Sequence, residues 1–358
     1  MKKKQLILGG VVLVAMAALL VWGRHRIHFD FTVFRAQLAL ADWRRIAAGV
    51  GCIYVAYVFR GVRWAMLLRH NKRVSLFSLV GTQVIGFTAV ALIGRVADPV
   101  RPYLVAKKTG LPISNQLAVY VVERLFDAGS MALIFSSAIL LTAWLGLPGA
   151  LPHPEIVKKA GYWGLILTVL GALFLVAIRL TGGLVASFFE TAFGVFSKKL
   201  GAALGDKIRT FRTGLDTIRN FSDFAVTASL SITMWVLITA AYLEVAKAFV
   251  ASPQLASMSL GECVLLLAVS GTASVFQLPV LGWFTQIGFV AAAMTSFYGA
   301  TPEASTACAA TLLLVTFLAI VPVGLIWAQI EHVSLRKVTV ESAHAGEEAP
   351  QVPPAEST

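Results

Sequence analysis

Long apolar blocks follow one another along this chain, separated by short loops rich in Lys and Arg. A helix rises about 1.5 Å per residue, so ~20 apolar residues span the ~30 Å of hydrocarbon in a bilayer. Blocks of that length occupy residues 6–22, 46–67, 117–145, 161–180, 225–249 and 304–328. Only 13% of residues are charged, against about 25% in a soluble globular domain. No water-facing shell can be built from that composition, so the chain is read as an all-α, polytopic membrane helical bundle. The run Ala15-Met16-Ala17 has the form of a signal-peptidase site, but apolar residues continue past it to Trp22. A retained first span is the better reading.

The basic loops fix an expected orientation. The formal charge is +12, and Lys and Arg concentrate on the cytoplasmic side of membrane proteins. Six spans with both termini inside place 18 Lys and Arg in inner loops and 7 in outer ones. This gives a multi-pass protein of the bacterial cytoplasmic membrane with both ends in the cytoplasm. Nucleic acid is set aside as a partner, because no basic stripe with interleaved aromatics occurs. Three scattered cysteines and six scattered histidines lack metal-ligand spacing, so neither a metal nor another cofactor is expected. Residues 181–224 alternate apolar and basic positions at helical spacing. They read as interfacial helices on the inner leaflet, or as helices that simply cover the bundle. Residues 341–358, acidic, Pro-rich and without aromatics, read as a disordered cytoplasmic tail after a membrane domain over 1–340.

Two apolar stretches differ from the others. Residues 76–94 and 262–281 are rich in Gly, Ser, Thr and Ala, and each ends in a break, from Gly94 to Pro99 and from Pro279 to Gly282. Such segments predict two re-entrant or broken helical hairpins that line a cavity. Pro99 and Pro102 are expected to hold the first break out of regular helix. Pairing Ser75-Leu76 with Ser259-Leu260 also pairs Thr88-Ala89 with Thr272-Ala273. Three spans separate the copies, so they would enter from opposite faces as an inverted repeat, with halves at about 46–145 and 225–328.

Ionisable residues sit where a span should be apolar. Glu123 and Asp127 are four apart and share a helical face, with Arg124 beside them. Each uncompensated charge there costs at least ~2.5–3.5 kcal/mol, so these groups must pair or face a wet cavity. Arg95 and Arg101, carried in by the first break together with Asp98, are the expected partners. The arrangement reads either as an ion-pair staple or as a polar pocket offering Arg donors to a phosphate and carboxylates to an amine. Gln277, Thr285 and Gln286 supply neutral polar groups near the second break. Arg60 and Arg63, near one end of their span, are expected to snorkel to the interface.

The runs GRVADPVRPYL, KKTGLPIS and VYVVERLFDAG resemble the signature of the bacterial lysylphosphatidylglycerol synthase membrane-domain, or flippase-like, family. Asp98 stands where that family usually has Glu. Arg101 matches its Arg, and Glu123, Arg124 and Asp127 match its later motif. The resemblance covers roughly residues 5 to 335. Its second motif departs here, since Thr285 and Gln286 follow Pro279-Val280-Leu281-Gly282 with no carboxylate. That departure weighs against a mechanism needing an acid in the second repeat. By resemblance, members move aminoacylated phospholipid between leaflets or serve other envelope-lipid pathways. The soluble aminoacyl-transferase domain of the synthase is expected to be missing, since only a short polar tail follows the last span.

The leading expectation is therefore a non-enzymatic flippase or transporter for a lipid with a charged head group, anionic or zwitterionic. One alternative is a scaffold whose basic loop docks a lipid-synthesis enzyme. The other is a polyprenyl-linked glycosyltransferase, for which the first outer loop offers only Asp30 and Asp42, without a nucleophile elbow or phosphate-cradling loop.

Overall fold

The computed structural model describes residues 29–145, 154–194, 197–198, 201–202, 205, 218, 220–273 and 281–345. The described residues contain helices and no strand. Four helices are long and apolar enough to cross a membrane: Trp43–Leu68, Ile113–Leu141, Phe221–Ala248 and Pro302–Ile330. The block expected at 6–22 lies outside the described residues. So does most of 195–219, where the second half of the interfacial helices was read.

A short helix α1 (Phe31–Ala39) opens the described part. Asp30 caps it by accepting the Thr32 N–H at 2.7 Å, which keeps its carboxyl below the usual carboxylate range. Helix α2 (Trp43–Leu68) follows. Next come α3 (Val80–Ile93), a 3-10 turn (Arg95–Ala97) and α4 (Val100–Thr109), then α5 (Ile113–Leu145). Helix α6 (Pro154–Gly194) contains the block read at 161–180 and continues past a kink at Thr181. One helix thus takes in the span and the start of the stretch read as interfacial, because nothing between 161 and 194 forbids helical backbone except at that kink.

Helix α7 (Phe221–Ala248) begins the later part. A single turn, α8 (Pro253–Ala256), leads into α9 (Leu260–Ala273) and α10 (Leu281–Tyr298). The last span runs from α11 (Pro302–Leu313) through a π turn (Leu314–Leu318) into α12 (Ile320–Ile330). Helix α13 (Leu335–Ala345) closes the described chain. Long helix, broken hairpin and long helix thus occur in the same order twice. Helices α3 and α9 begin 180 residues apart (260 − 80), whereas the sequence pairing implied 184. The helix starts are therefore one turn out of step with that alignment.

Helices α2 and α7 form the centre of the bundle. Ile46, Ile53 and Tyr57 pack with Ala241, Tyr242, Val245 and Phe249 in the largest buried cluster. The first hairpin folds α4 back against α3 and α5. Gly94 makes the turn possible: its φ of 89° lies where L side chains are strained. Pro99 caps α4, but Pro102 stands inside its first turn rather than holding the chain out of helix. An N–H in that turn has no intrahelical acceptor, so proline costs little there.

Residues 341–345, read as the start of a disordered tail, are helical. Val338 is buried beside Val100 and Leu104, and the Tyr103 hydroxyl donates to Glu341 Oε2 at 2.8 Å. These contacts order the segment despite its composition. Residues 346–358 lie outside the described part.

Candidate functional site

Six ionisable side chains from three helices converge beside the first hairpin. Helix α5 brings Glu123, Arg124 and Asp127; α4 brings Arg101; α2 brings Arg60 and Arg63. Arg101 is fully buried, at 0% exposure. Its Nη2 donates to both Glu123 oxygens, at 2.7 and 2.5 Å, and its Nε donates to Gln83 Oε1 at 3.0 Å. Its guanidinium also lies over Phe87, 4.3 Å from the ring centroid. A glycine permits this approach: a Cβ at Gly86 would collide with the Arg101 side chain.

Arg63 is equally enclosed. Its Nη2 donates to Glu123 Oε1 at 2.6 Å, and its Nη1 donates to Asp127 Oδ1 at 2.6 Å and Ser231 Oγ at 2.7 Å. The expectation that Arg60 and Arg63 snorkel to the interface is therefore wrong. Arg63 is 1% exposed, and Arg60 approaches Asp127 and Glu123 at 3.7 and 3.8 Å. The physical reason is the pair of carboxylates: two buried anions attract these arginines more strongly than the distant interface does. The insertion-cost argument that singled out Glu123 and Asp127 applies equally to Arg60 and Arg63, one turn apart on their own span, and was the signal that could have found them.

The remaining sequence candidates divide. Arg101, Glu123, Arg124 and Asp127 are brought together. Arg95 and Asp98 line a neighbouring cavity. Gln286 lines the same cavity from the second hairpin and donates to Ser270 Oγ at 2.7 Å. Thr285 is not among the lining residues and bonds back to Gly282 O at 3.0 Å. Gln277 lies outside the described residues.

The cavity has a volume of about 690 Å³, within the ~300–1,000 Å³ of small-molecule sites. Both hairpins bound it: Phe87, Val90, Arg95 and Asp98 from the first, and Leu267, Ser270, Thr272 and Gln286 from the second. Helices α5 and α7 supply apolar wall, including Met131, Phe135 and Ile238. Arg60 and Arg124 reach the cavity, whereas Arg63, Arg101, Glu123 and Asp127 are not among its lining residues. The carboxylates thus lie behind a guanidinium face.

The cluster is rich in positive charge and in donors. Four arginines meet two carboxylates. Arg60 Nη1, Arg63 Nε, Arg101 Nη1 and Arg124 Nε each lack a hydrogen-bond acceptor among the described residues. Buried donors are seldom left so. Water or the oxygens of an anion would complete them. Among the described residues no group of three or more His, Cys, Asp and Glu is placed to hold a metal.

An all-helical membrane protein with a buried ionic cluster at the head of a mostly apolar cavity is the class that fold and site define. The chain belongs to the family described as the lysylphosphatidylglycerol synthase TM region, whose family model matches residues 6–324. That membership gives it a lipid-related role in the membrane. No curated protein and no solved structure matches the chain.

Proposed function

We propose that this protein is a lipid transporter of the bacterial cytoplasmic membrane, moving a lipid with a charged head group between leaflets without chemical change. The supporting observation is the division of the cavity: a guanidinium head made by Arg60 and Arg124, and long apolar walls from α5 and α7. A head group sits against the arginines while its acyl chains stay in lipid. The two hairpins, both of which line the cavity, rearrange to expose it to the other leaflet. In this reading both hairpins turn back inside the bilayer and both termini are cytoplasmic, as the distribution of Lys and Arg suggests. Transport is preferred over catalysis because Glu123 and Asp127 are engaged by arginines and are not among the cavity's lining residues.

The test is translocation of a reporter lipid in vesicles holding the purified protein. Wild type should move the lipid between leaflets, and Arg60→Gln and Arg124→Gln should slow it at least tenfold, Arg60→Gln while melting within a few degrees of wild type. A wild-type protein that moves no lipid, whatever the head group, would sink the proposal. So would variants that transport normally.

A further inference from the structure

We infer that the π turn Leu314–Leu318 is the hinge on which the second hairpin swings, carrying α11 with it while α12 stays with the first hairpin. This rests on the reading that the hairpins rearrange during transport, and it names the joint and the part that moves.

The last span belongs to two bodies. Its first half, α11, packs against α10, and its second half, α12, packs against α3. Among the described residues α12 makes no comparable contact with α9 or α10, and α11 makes none with α3 or α4. The two hairpins do not pack on each other to any such extent either. Side chains tie the second body together. Thr295 Oγ1 donates to Ser305 Oγ at 3.0 Å, joining α10 to α11, and Gln286 donates to Ser270 Oγ at 2.7 Å, joining α10 to α9. The first body is tied as closely. A Cβ at Gly324 of α12 would collide with Thr88 of α3, and one at Gly81 of α3 would collide with Trp327 of α12. Lys108 Nζ of α4 donates to Glu331 Oε1, at the end of α12, at 2.6 Å. Arg101 fastens α4 to Glu123 of α5, so the first body is fixed to the ionic centre and the second is the one that swings.

Between the two bodies the helix is weakened twice. The Ala319 N–H donates to Leu314 O, five residues back, at 2.7 Å, where an α-helix would bond four residues back. Pro322 then has no N–H to give the Leu318 carbonyl. Prolines and π turns are where helices bend. The Ala319 carbonyl accepts from the Tyr54 hydroxyl of α2 at 2.8 Å, which pins the α12 side of the joint to the centre of the bundle. Thr316 and Phe317 place the joint in the cavity wall, so bending there changes the space between the hairpins.

The test measures distances between spin labels in the full-length protein held in lipid nanodiscs, the labels being carried on non-natural residues so that the cysteines stay. One pair, at Lys107 and Ser296, spans the two bodies. The other, at Lys107 and Gln329, lies within the first. All three positions are exposed. In wild type the first pair should show two resolved distances and the second pair one. Deleting Leu314, an exposed residue that does not line the cavity, closes the π turn into an α turn. Pro322→Ala gives the Leu318 carbonyl its missing donor. Each change should collapse the first pair to a single distance and slow lipid movement roughly tenfold or more, with the second pair unaltered. Pro322→Ala leaves every cavity-lining residue in place and should not lower the melting temperature, so it decides the matter if the deletion does not fold.

A turn with only a structural role would leave both distances in place in the two variants, and that result overturns the inference. So does a single distance in wild type, or a second pair that varies with the first. Lipid movement in wild type with two distances that neither variant alters would leave transport standing and remove the hinge. Two distances that the variants collapse, in a protein that moves no lipid, would do the reverse.

Discussion

Arg101 and Glu123, 22 residues apart in sequence, meet through a single nitrogen: Nη2 of the arginine lies 2.7 and 2.5 Å from the two carboxylate oxygens. The contact joins the second helix of the first hairpin to the neighbouring long span. Arg63 reaches the same carboxylate from a third helix, so one acid holds three elements together. Pair and cavity are adjacent but distinct: Arg101 and Glu123 brace the structure, and Arg60 and Arg124 face the open space. Consequences for stability and for lipid handling therefore separate by residue.

Removing either member of the brace leaves an uncompensated buried charge. Glu123→Ala and Arg101→Ala should each cost roughly 3–5 kcal/mol of stability, seen as a large fall in melting temperature in detergent. The double variant Arg101→Met with Glu123→Leu should lose much less than the two singles added together. Full additivity would show that the two groups do not act as a pair.

Arg60 and Arg63 stand one turn apart on α2 yet should respond differently. Arg63 donates to Glu123, Asp127 and Ser231, so Arg63→Gln should destabilise by several times as much as Arg60→Gln. Arg60 makes only long contacts to the carboxylates, and its loss should register in lipid movement instead. Comparing melting temperature with translocation rate for the two variants checks this division. Equal melting shifts would contradict it.

A side chain at position 86 would occupy the path of Arg101. Gly86→Val should force α4 away from α3 and cost about 1–3 kcal/mol, as overpacking of a tight site does. Gly86→Ala should cost less. Hydrogen exchange would show the loosening concentrated in α4. Unchanged exchange there would mean that the close approach of α3 to Arg101 is not required.

Filling the cavity should stop transport without touching a charge. Ala132 lines the apolar wall, and Ala132→Phe projects a ring into the space. Lipid translocation should fall at least tenfold, while a melting temperature near that of wild type shows the bundle intact. A plugged variant that still moves lipid would place the route elsewhere.

At the other end of the described chain, Asp30 caps α1 through the Thr32 N–H, and its carboxyl is held below the ordinary value of 3.8. A lowered carboxyl contributes stability that is fully present above the ordinary value and lost as pH falls through the lowered one. Acid should therefore fray α1. In Asp30→Asn, which still caps but does not titrate, α1 should stay ordered under the same conditions by hydrogen exchange.

The sequence alone determined that this is a helical membrane protein, because apolar blocks of bilayer length leave no other way to satisfy backbone groups in lipid. It also marked the first break, since Gly94 and Pro99 restrict the backbone locally, and it marked Glu123 and Asp127, since a charge inside an apolar helix needs a partner. Which partner was a tertiary matter. Arg63 lies 60 residues from Glu123, and nothing local distinguishes an arginine that reaches the interface from one drawn inward by two anions. Only the packing of α2, α4 and α5 against one another turned the carboxylates behind the arginines and left Arg60 and Arg124 facing the cavity. Whether a buried charge braces a bundle or meets a ligand depends on which neighbours arrive in three dimensions.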